Sequence, residues 1–277
     1  MTARHERGDR PAGSGYFDAP HGFAALAHRG FARPGGVDDG LENSLAAFAA
    51  AVDLGYSYVE TDAHGTRDGV AVALHDESLD RTTDSSGLVA ELPWNTVRAA
   101  RIGGSEPVPR LDDLLGTWPA LRVNIDVKAD SGVLPVAEAV ERTRSHDRVC
   151  VTSFSPARRR ATLAHLSRPV ATSAGRGEVA RFLAGARTGL APLARHALRD
   201  VGALQVPVTE RVPVAGRLTV VDAVTVRAAH RAGKQVHVWT VDDAAEMRRL
   251  IDLGVDGLVT DRADVLRDVL VARGMWG

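Results

Sequence analysis

Residues 58–75, YVETDAHGTRDGVAVALH, decide how this chain folds. Two strand-like runs lie in the stretch, at 58–62 and 70–75. Only seven residues separate Asp62 from Val70, and Arg67-Asp68-Gly69 among them is a turn signal. A parallel crossover needs about a dozen residues or more, so the second run returns antiparallel to a first strand that continues as far as Thr66. Working outward, further strand-like runs fall at 24–28, 121–127, 149–153, 170–173, 203–206, 236–239 and 257–260. Amphipathic segments at 44–54, 134–144, 156–166, 220–232, 243–253 and 263–271 lie between most of them. Setting the hairpin arm aside leaves eight strands in βα units. The pattern predicts an α/β fold, a TIM-type (β/α)8 barrel with a β-hairpin excursion after its second strand. A doubly wound open sheet is the alternative topology.

Composition narrows the function. Of 277 residues, 44% are hydrophobic and 25% charged, ample for one barrel core. The 34 basic and 35 acidic side chains leave a net charge of −1, which argues against a nucleic-acid partner or a polybasic membrane surface. The single cysteine, Cys150, excludes an intramolecular disulfide and a cysteine metal cluster. No apolar run approaches the roughly 18 residues needed to span a bilayer, so no stable membrane insertion is expected. The start lacks the apolar core of a secretory signal, and the reading predicts a cytoplasmic protein. Residues 1–22 read as a flexible arm and 23–277 as the barrel domain. The stretch 76–109 reads as a long polar loop over one end, with Leu88, Val89, Leu92 and Trp94 as its apolar cluster and little else to form a core.

In a βα barrel, functional side chains gather at the C-terminal ends of the strands. Those ends carry His28-Arg29-Gly30, Glu60-Thr61-Asp62, His75-Asp76, Asn124 with Asp126 and Lys128, Trp239-Thr240 and Thr260-Asp261. Alternation puts Glu60 and Asp62 on one strand face, and Asn124, Asp126 and Lys128 on one face of the next strand. Carboxylates converging from adjacent strands repel, and a hard divalent cation with a preference for oxygen relieves that repulsion. Glu60, Asp62 and Asp126 are therefore candidate metal ligands; the plainer alternative is a solvated carboxylate pair at a strand edge. His28 and His75 are the acid–base candidates, because imidazole titrates near neutral pH. His64 shares a face with Glu60, and His237 with Trp239; packing or support is the expectation for both. Arg29 and Lys128 add phosphate-binding charge, although Arg29 could equally form a surface ion pair. Trp239 either walls the pocket or plugs the barrel mouth. Ser44 or Asn43 caps the first helix, which leaves Glu42 free to reach the site.

Taken together, these residues resemble the glycerophosphodiester phosphodiesterase family. The matching pieces are Ala27-His28-Arg29-Gly30, Glu42-Asn43-Ser44, Glu60-Thr61-Asp62, Thr66-Arg67-Asp68-Gly69, His75-Asp76 and Leu79-Asp80-Arg81-Thr82-Thr83 with Gly87. Asp126-Val127-Lys128, Trp239-Thr240-Val241 and the run from Gly254 to Asp261 follow in the same order. The resemblance implies a TIM-barrel hydrolase that splits small-molecule glycerophosphodiesters into glycerol 3-phosphate and an alcohol, using one divalent cation, Mg2+ or Ca2+. By position, His28 and His75 resemble the catalytic pair, and Glu60, Asp62 and Asp126 the metal ligands. Arg29 and Lys128 resemble the phosphate-site cations, Glu42 a metal or substrate contact, and Trp239 a wall for the glycerol moiety. The third ligand position usually carries Glu, so Asp126 is one methylene short. Two other readings stand beside this one: a phospholipase-D-like enzyme acting on lysophospholipids or sphingomyelin, and a non-catalytic barrel that binds a phosphate ligand. The polar stretch 76–109 favours small water-soluble diesters over lipids, and the retained histidines and carboxylates favour catalysis over binding alone.

Overall fold

The valine-, leucine- and alanine-rich runs form eight parallel strands, in a computed structural model that describes residues 14–212 and 216–276. They are Ala24–His28 (β1), Tyr58–Gly65 (β2), Arg122–Val127 (β3), Val149–Thr152 (β4), Ala171–Thr172 (β5), Ala203–Pro207 (β6), Gln235–Trp239 (β7) and Gly257–Thr260 (β8). Neighbours in the sheet follow chain order from β1 to β5, and β1 pairs β8, which leads on to β7 and β6. A single parallel bridge between Ser173 and Ala203 joins the two ends, so the sheet is a nearly closed barrel. The short strand Ala71–Ala73 lies off this ring and pairs antiparallel with the end of β2, Ala63 opposite Ala73 and Gly65 opposite Ala71.

Strand alternation sorts the side chains into two environments. Outward-facing Ala25, Ala27, Val59, Val123, Ile125 and Val151 pack under the helices in the main core. Inward-facing Ala24, Leu26, Tyr58, Cys150, Ala171 and Val259 form a smaller apolar layer inside the barrel. The inward positions that follow, His28 on β1, Glu60 and Asp62 on β2 and Asp126 on β3, are polar. The barrel interior thus changes from apolar to charged along the strand direction, and the charged half lies at the C-terminal end.

Several expectations change at this level. Residues 14–22 are not a loose arm: Tyr16 is fully buried, its ring stands edge-on to Tyr58 at 5.2 Å, and Arg122 donates to the carbonyls of Gly15 and Asp18. The aromatic pair Tyr16–Phe17 closes the N-terminal end of the barrel, which the polar composition around it had hidden. The rest of the expected arm, 1–13, falls outside the described residues. The 76–109 stretch also has a core of its own, where Leu79, Val89, Val97, Ala100, Ile102 and Val108 pack on Val72 and Leu74. Val89 belongs to the expected apolar cluster; the others are spaced without a period, so no pattern announces them. Helices Arg176–Arg187 and Ala191–Ala197 and the hairpin of Thr209–Val212 with Gly216–Thr219 fill a region that periodicity had left unassigned. Among the described residues no helix is long and apolar enough to cross a membrane.

His237 lies within the barrel wall, fully buried, with Nδ1 facing the Gln205 amide at 3.3 Å and Nε2 facing Gln235 Oε1 at 3.0 Å. Burial depresses its pKa from 6.5 to about 4. The unfolded chain therefore binds a proton here that the folded chain refuses, so stability falls as pH drops from about 6.5 to about 4. His237→Gln should show a shallower loss of unfolding free energy across that window in urea titrations; an unchanged slope would contradict the assignment.

Candidate active site

Register brings the inward polar residues into one layer. His28 pairs Glu60 across β1 and β2, and Asp62 pairs Asp126 across β2 and β3. At the end of β1 the backbone turns sharply: Arg29 adopts φ +56° and Gly30 φ +84°. A side chain at Gly30 would run into the backbone of Ala47 at 2.6 Å, so only glycine fits. Arg29 holds a left-handed conformation that a non-glycine residue seldom takes, and its N–H points at Glu60 Oε2, 3.3 Å away.

Eight of the nine side chains singled out from the sequence line one cavity of about 200 Å³: His28, Arg29, Glu60, Asp62, His75, Asp126, Lys128 and Trp239. The ninth, Glu42, lines a neighbouring cleft with Arg29 and His28 and accepts from Arg29 Nη1 at 3.0 Å. Trp239 walls the cavity rather than sealing it, edge-on to Phe154 at 5.8 Å.

The carboxylates are held by side-chain cations. Lys128 Nζ lies 2.8 Å from Asp62 and 2.9 Å from Asp126. Arg29 Nε lies 3.1 Å from Asp62 Oδ2, off the hydrogen-bond direction, and Asn43 Nδ2 donates to the same oxygen at 3.0 Å. Burial works to raise the Asp62 pKa, but Lys128 and Arg29 outweigh it and hold the group below the usual carboxylate range. Glu60 goes the other way: burial and the Asp62 charge push its pKa up. Burial also raises Asp126, against the pull of Lys128. Burial would lower Lys128, yet Asp62 and Asp126 hold it firmly charged.

Among the described residues no three His, Cys, Asp or Glu side chains are gathered closely enough to hold a metal as they stand. The carboxylate repulsion that the sequence assigned to a metal is met in part by Lys128. The donor chemistry nevertheless suits a hard cation. All three candidate ligands are carboxylates, Asp126 Oδ1 is buried without a partner, and Glu60 is raised by burial and by the Asp62 charge.

Both histidines are oriented by carboxylates that the sequence quoted without a role. His28 Nδ1 meets Asp261 Oδ1 at 2.6 Å, and His75 Nδ1 meets Asp76 Oδ1 at 2.6 Å. Asp242 fixes Asp261 in turn, accepting from its N–H at 2.8 Å. Arg81 grips Asp76 through Nε at 2.6 Å and reaches Glu42 at 2.7 Å, and its hydrogen bond holds Asp76 well below the usual carboxylate range. His64 Nε2 faces the His75 carbonyl at 3.2 Å, a support for the chain at that point. Ser44 caps helix Leu45–Asp53, which frees Asn43, at φ +62°, to orient Asp62. The sequence signal for Asp76, Arg81, Asn43 and Asp261 was their place in the motif pieces; Phe154, which lines the cavity, had none.

The chain is similar to known proteins over nearly its whole length. The model of the Glycerophosphoryl diester phosphodiesterase family matches residues 28–265. The chain is 45% identical to "Probable glycerophosphodiester phosphodiesterase 2" of Mycobacterium tuberculosis, over 92% of this chain and 93% of that protein. It is 29% identical to a glycerophosphodiester phosphodiesterase of Caldanaerobacter subterraneus, over 90% and 98%. Among solved structures, an Oleispira antarctica phosphodiesterase in complex with the product sn-glycerol-3-phosphate superposes with TM-score 0.69 at 20% identity, covering 90% of this chain and 96% of that one. A glycerophosphodiester phosphodiesterase of Agrobacterium tumefaciens gives 0.70 at 24% identity, covering 90% and 99%. At these identities the structures establish the shared fold.

Burial works against a charged His28, but the Asp261 hydrogen bond and the nearby Glu60 raise its pKa. Asp261→Asn removes the larger of these supports. NMR titration of the His28 ring should then show a lower pKa than in the unaltered protein; an equal value would remove Asp261 from the account.

Proposed function

The chain belongs to the glycerophosphoryl diester phosphodiesterase family, and from that premise we propose that the cavity hydrolyses glycerophosphodiesters to glycerol 3-phosphate and an alcohol through His28 and His75. One observation carries the reading. Two histidines line the same cavity, and each has Nδ1 engaged by a carboxylate, which leaves Nε2 for proton transfer. One imidazole takes a proton from the nucleophile as its oxygen bonds to phosphorus; the nucleophile is water, or the glycerol 2-hydroxyl, whose cyclic phosphate water then opens. The other gives a proton to the alcohol oxygen as its bond to phosphorus breaks. Arg29 and Lys128 face the non-bridging phosphate oxygens and offset the charge that grows on them. Trp239 packs against the carbon skeleton of the glycerol. Glu60, Asp62 and Asp126 are the residues to hold a divalent cation, Mg2+ or Ca2+, which when bound supplies Lewis-acid polarisation of the phosphate. Asp261 and Asp76 act as positioning residues, fixing tautomer and ring orientation.

Release of glycerol 3-phosphate from glycerophosphocholine and glycerophosphoethanolamine, run with Mg2+, with Ca2+ and with EDTA, tests the reaction. Release that depends on the metal is expected. Equal release in EDTA overturns the cation, and no release with either metal overturns the reaction. His28→Ala and His75→Ala should each lower kcat by at least about 10²-fold, the lower range for general acid–base catalysis. Near-normal turnover in either variant would remove that histidine from the chemistry.

A further inference from the structure

The catalytic cavity is bordered by a second, polar cleft of about 150 Å³, and His28 and Arg29 form the ridge between the two. Of the two spaces, Trp239 faces only the first, while Arg33, Asp38, Glu42 and Asp261 face only the second. A diester seated with its phosphate at Arg29 and its glycerol against Trp239 directs its other arm, the alcohol, over the ridge and into the cleft.

The far wall of the cleft is the segment between β1 and helix Leu45–Asp53. The Ala32 carbonyl accepts from the Asp39 N–H at 3.0 Å, which closes residues 32–39 into a loop. Asp38 Oδ1 accepts from the Gly40 N–H at 2.9 Å, and Asp38 Oδ2 from Arg33 Nη2 at 3.2 Å. Arg33 Nη1 lies 3.6 Å from Asp261 Oδ2, so the loop is tied to the carboxylate that orients His28. Arg33 and Asp38 both stay open to solvent, within reach of a molecule in the cleft.

The lining decides which alcohol suits it. Every carboxylate here is already engaged: Asp38 by Arg33, Glu42 by Arg29 and Arg81, and Asp261 by His28. These pairs leave little excess charge to draw an ionic alcohol. Among the described residues no Phe, Tyr or Trp lines the cleft, so a quaternary ammonium would find no aromatic face. The carboxylate oxygens and guanidinium groups do have more lone pairs and N–H groups than these contacts use. A hydroxyl both donates and accepts, so a wall that alternates the two suits an alcohol rich in hydroxyls.

We propose that this cleft is the subsite for the leaving alcohol, and that Arg33 and Asp38 select neutral, hydroxyl-rich alcohols over quaternary ammonium and over aliphatic alcohols of the same size. The proposal rests on the reaction given above. Hydrolysis breaks the bond between phosphorus and the alcohol oxygen; water supplies oxygen to phosphorus and a proton to the alcohol, which is released in the cleft.

The test measures kcat/KM for release of glycerol 3-phosphate by the full chain, with Mg2+ and with Ca2+, from glycerophosphoglycerol, glycerophosphopropanol and glycerophosphocholine. The first two differ only in the hydroxyls of the alcohol. A hydrogen bond to a charged partner is worth about tenfold or more, so the glycerol ester should exceed each of the others at least tenfold. Arg33→Ala and Asp38→Ala should each bring the ratio of glycerol ester to propanol ester towards one. Equal values for these two esters in the unaltered protein overturn the subsite and leave the reaction standing. A loss in Arg33→Ala shared equally by all three esters also overturns it, because Arg33 then acts through Asp261 alone. A choline ester turned over faster than the glycerol ester overturns the class of alcohol. If no diester is hydrolysed, the reaction fails and calorimetric binding of the glycerol and propanol esters decides the subsite. At least tenfold tighter binding of the glycerol ester, lost in Asp38→Ala, supports the cleft; equal binding overturns it.

Discussion

The ammonium of Lys128, held between Asp62 at 2.8 Å and Asp126 at 2.9 Å, is the contact on which the site depends. Asp62 is almost wholly buried, and an uncompensated charge there would cost several kcal/mol. Lys128 can meet two aspartates because β2 and β3 run parallel with Asp62 opposite Asp126. From Asp62 the pairing continues through Arg29 to Glu42, then through Arg81 to Asp76 and His75. Charges alternate from Asp62 to Asp76 along this chain, which ties the barrel strands to the 76–109 stretch. Burial and the Asp62 charge push Glu60 up, and Asp126 Oδ1 is buried without a hydrogen-bond partner. That local excess of anionic oxygen suits a hard cation.

Position is bought with backbone strain and carboxylate anchors. Arg29 sits at φ +56°, which brings its N–H to Glu60 and its guanidinium to Asp62 and Glu42. Groups held before substrate arrives need not reorganise during the reaction, and this is how a fixed polar layer lowers a barrier. The apolar half of the interior, with Tyr16 and Tyr58, supports that layer from below by filling the N-terminal end of the barrel.

Much of this was legible in the sequence. The short link between Asp62 and Val70 separated the hairpin arm from the barrel strands, and period-two alternation put Glu60, Asp62, Asp126 and Lys128 on converging faces. What alternation could not reach lay off the strands. Asp76 and Arg81 act from a loop, and Asp261 and Asp242 from turns past strand ends, where no period applies. Asn43 was read as a possible helix cap because Asn suits that place; only in three dimensions does Ser44 take the cap and Asn43 turn to Asp62. Tyr16 was masked by its polar neighbours, and the single apolar residues of 76–109 by their spacing. The 174–220 region lacked a clean helical period, so its helices and hairpin left no trace in the sequence.

The most direct test is crystallographic. Crystals soaked with Mn2+, an oxygen-seeking ion with a usable anomalous signal, and glycerol 3-phosphate should show one anomalous peak bound by Glu60, Asp62 and Asp126. The phosphate should lie against Arg29 and Lys128, with His28 and His75 on opposite sides of it. A peak bound elsewhere, or a phosphate seated away from those two cations, would contradict the account.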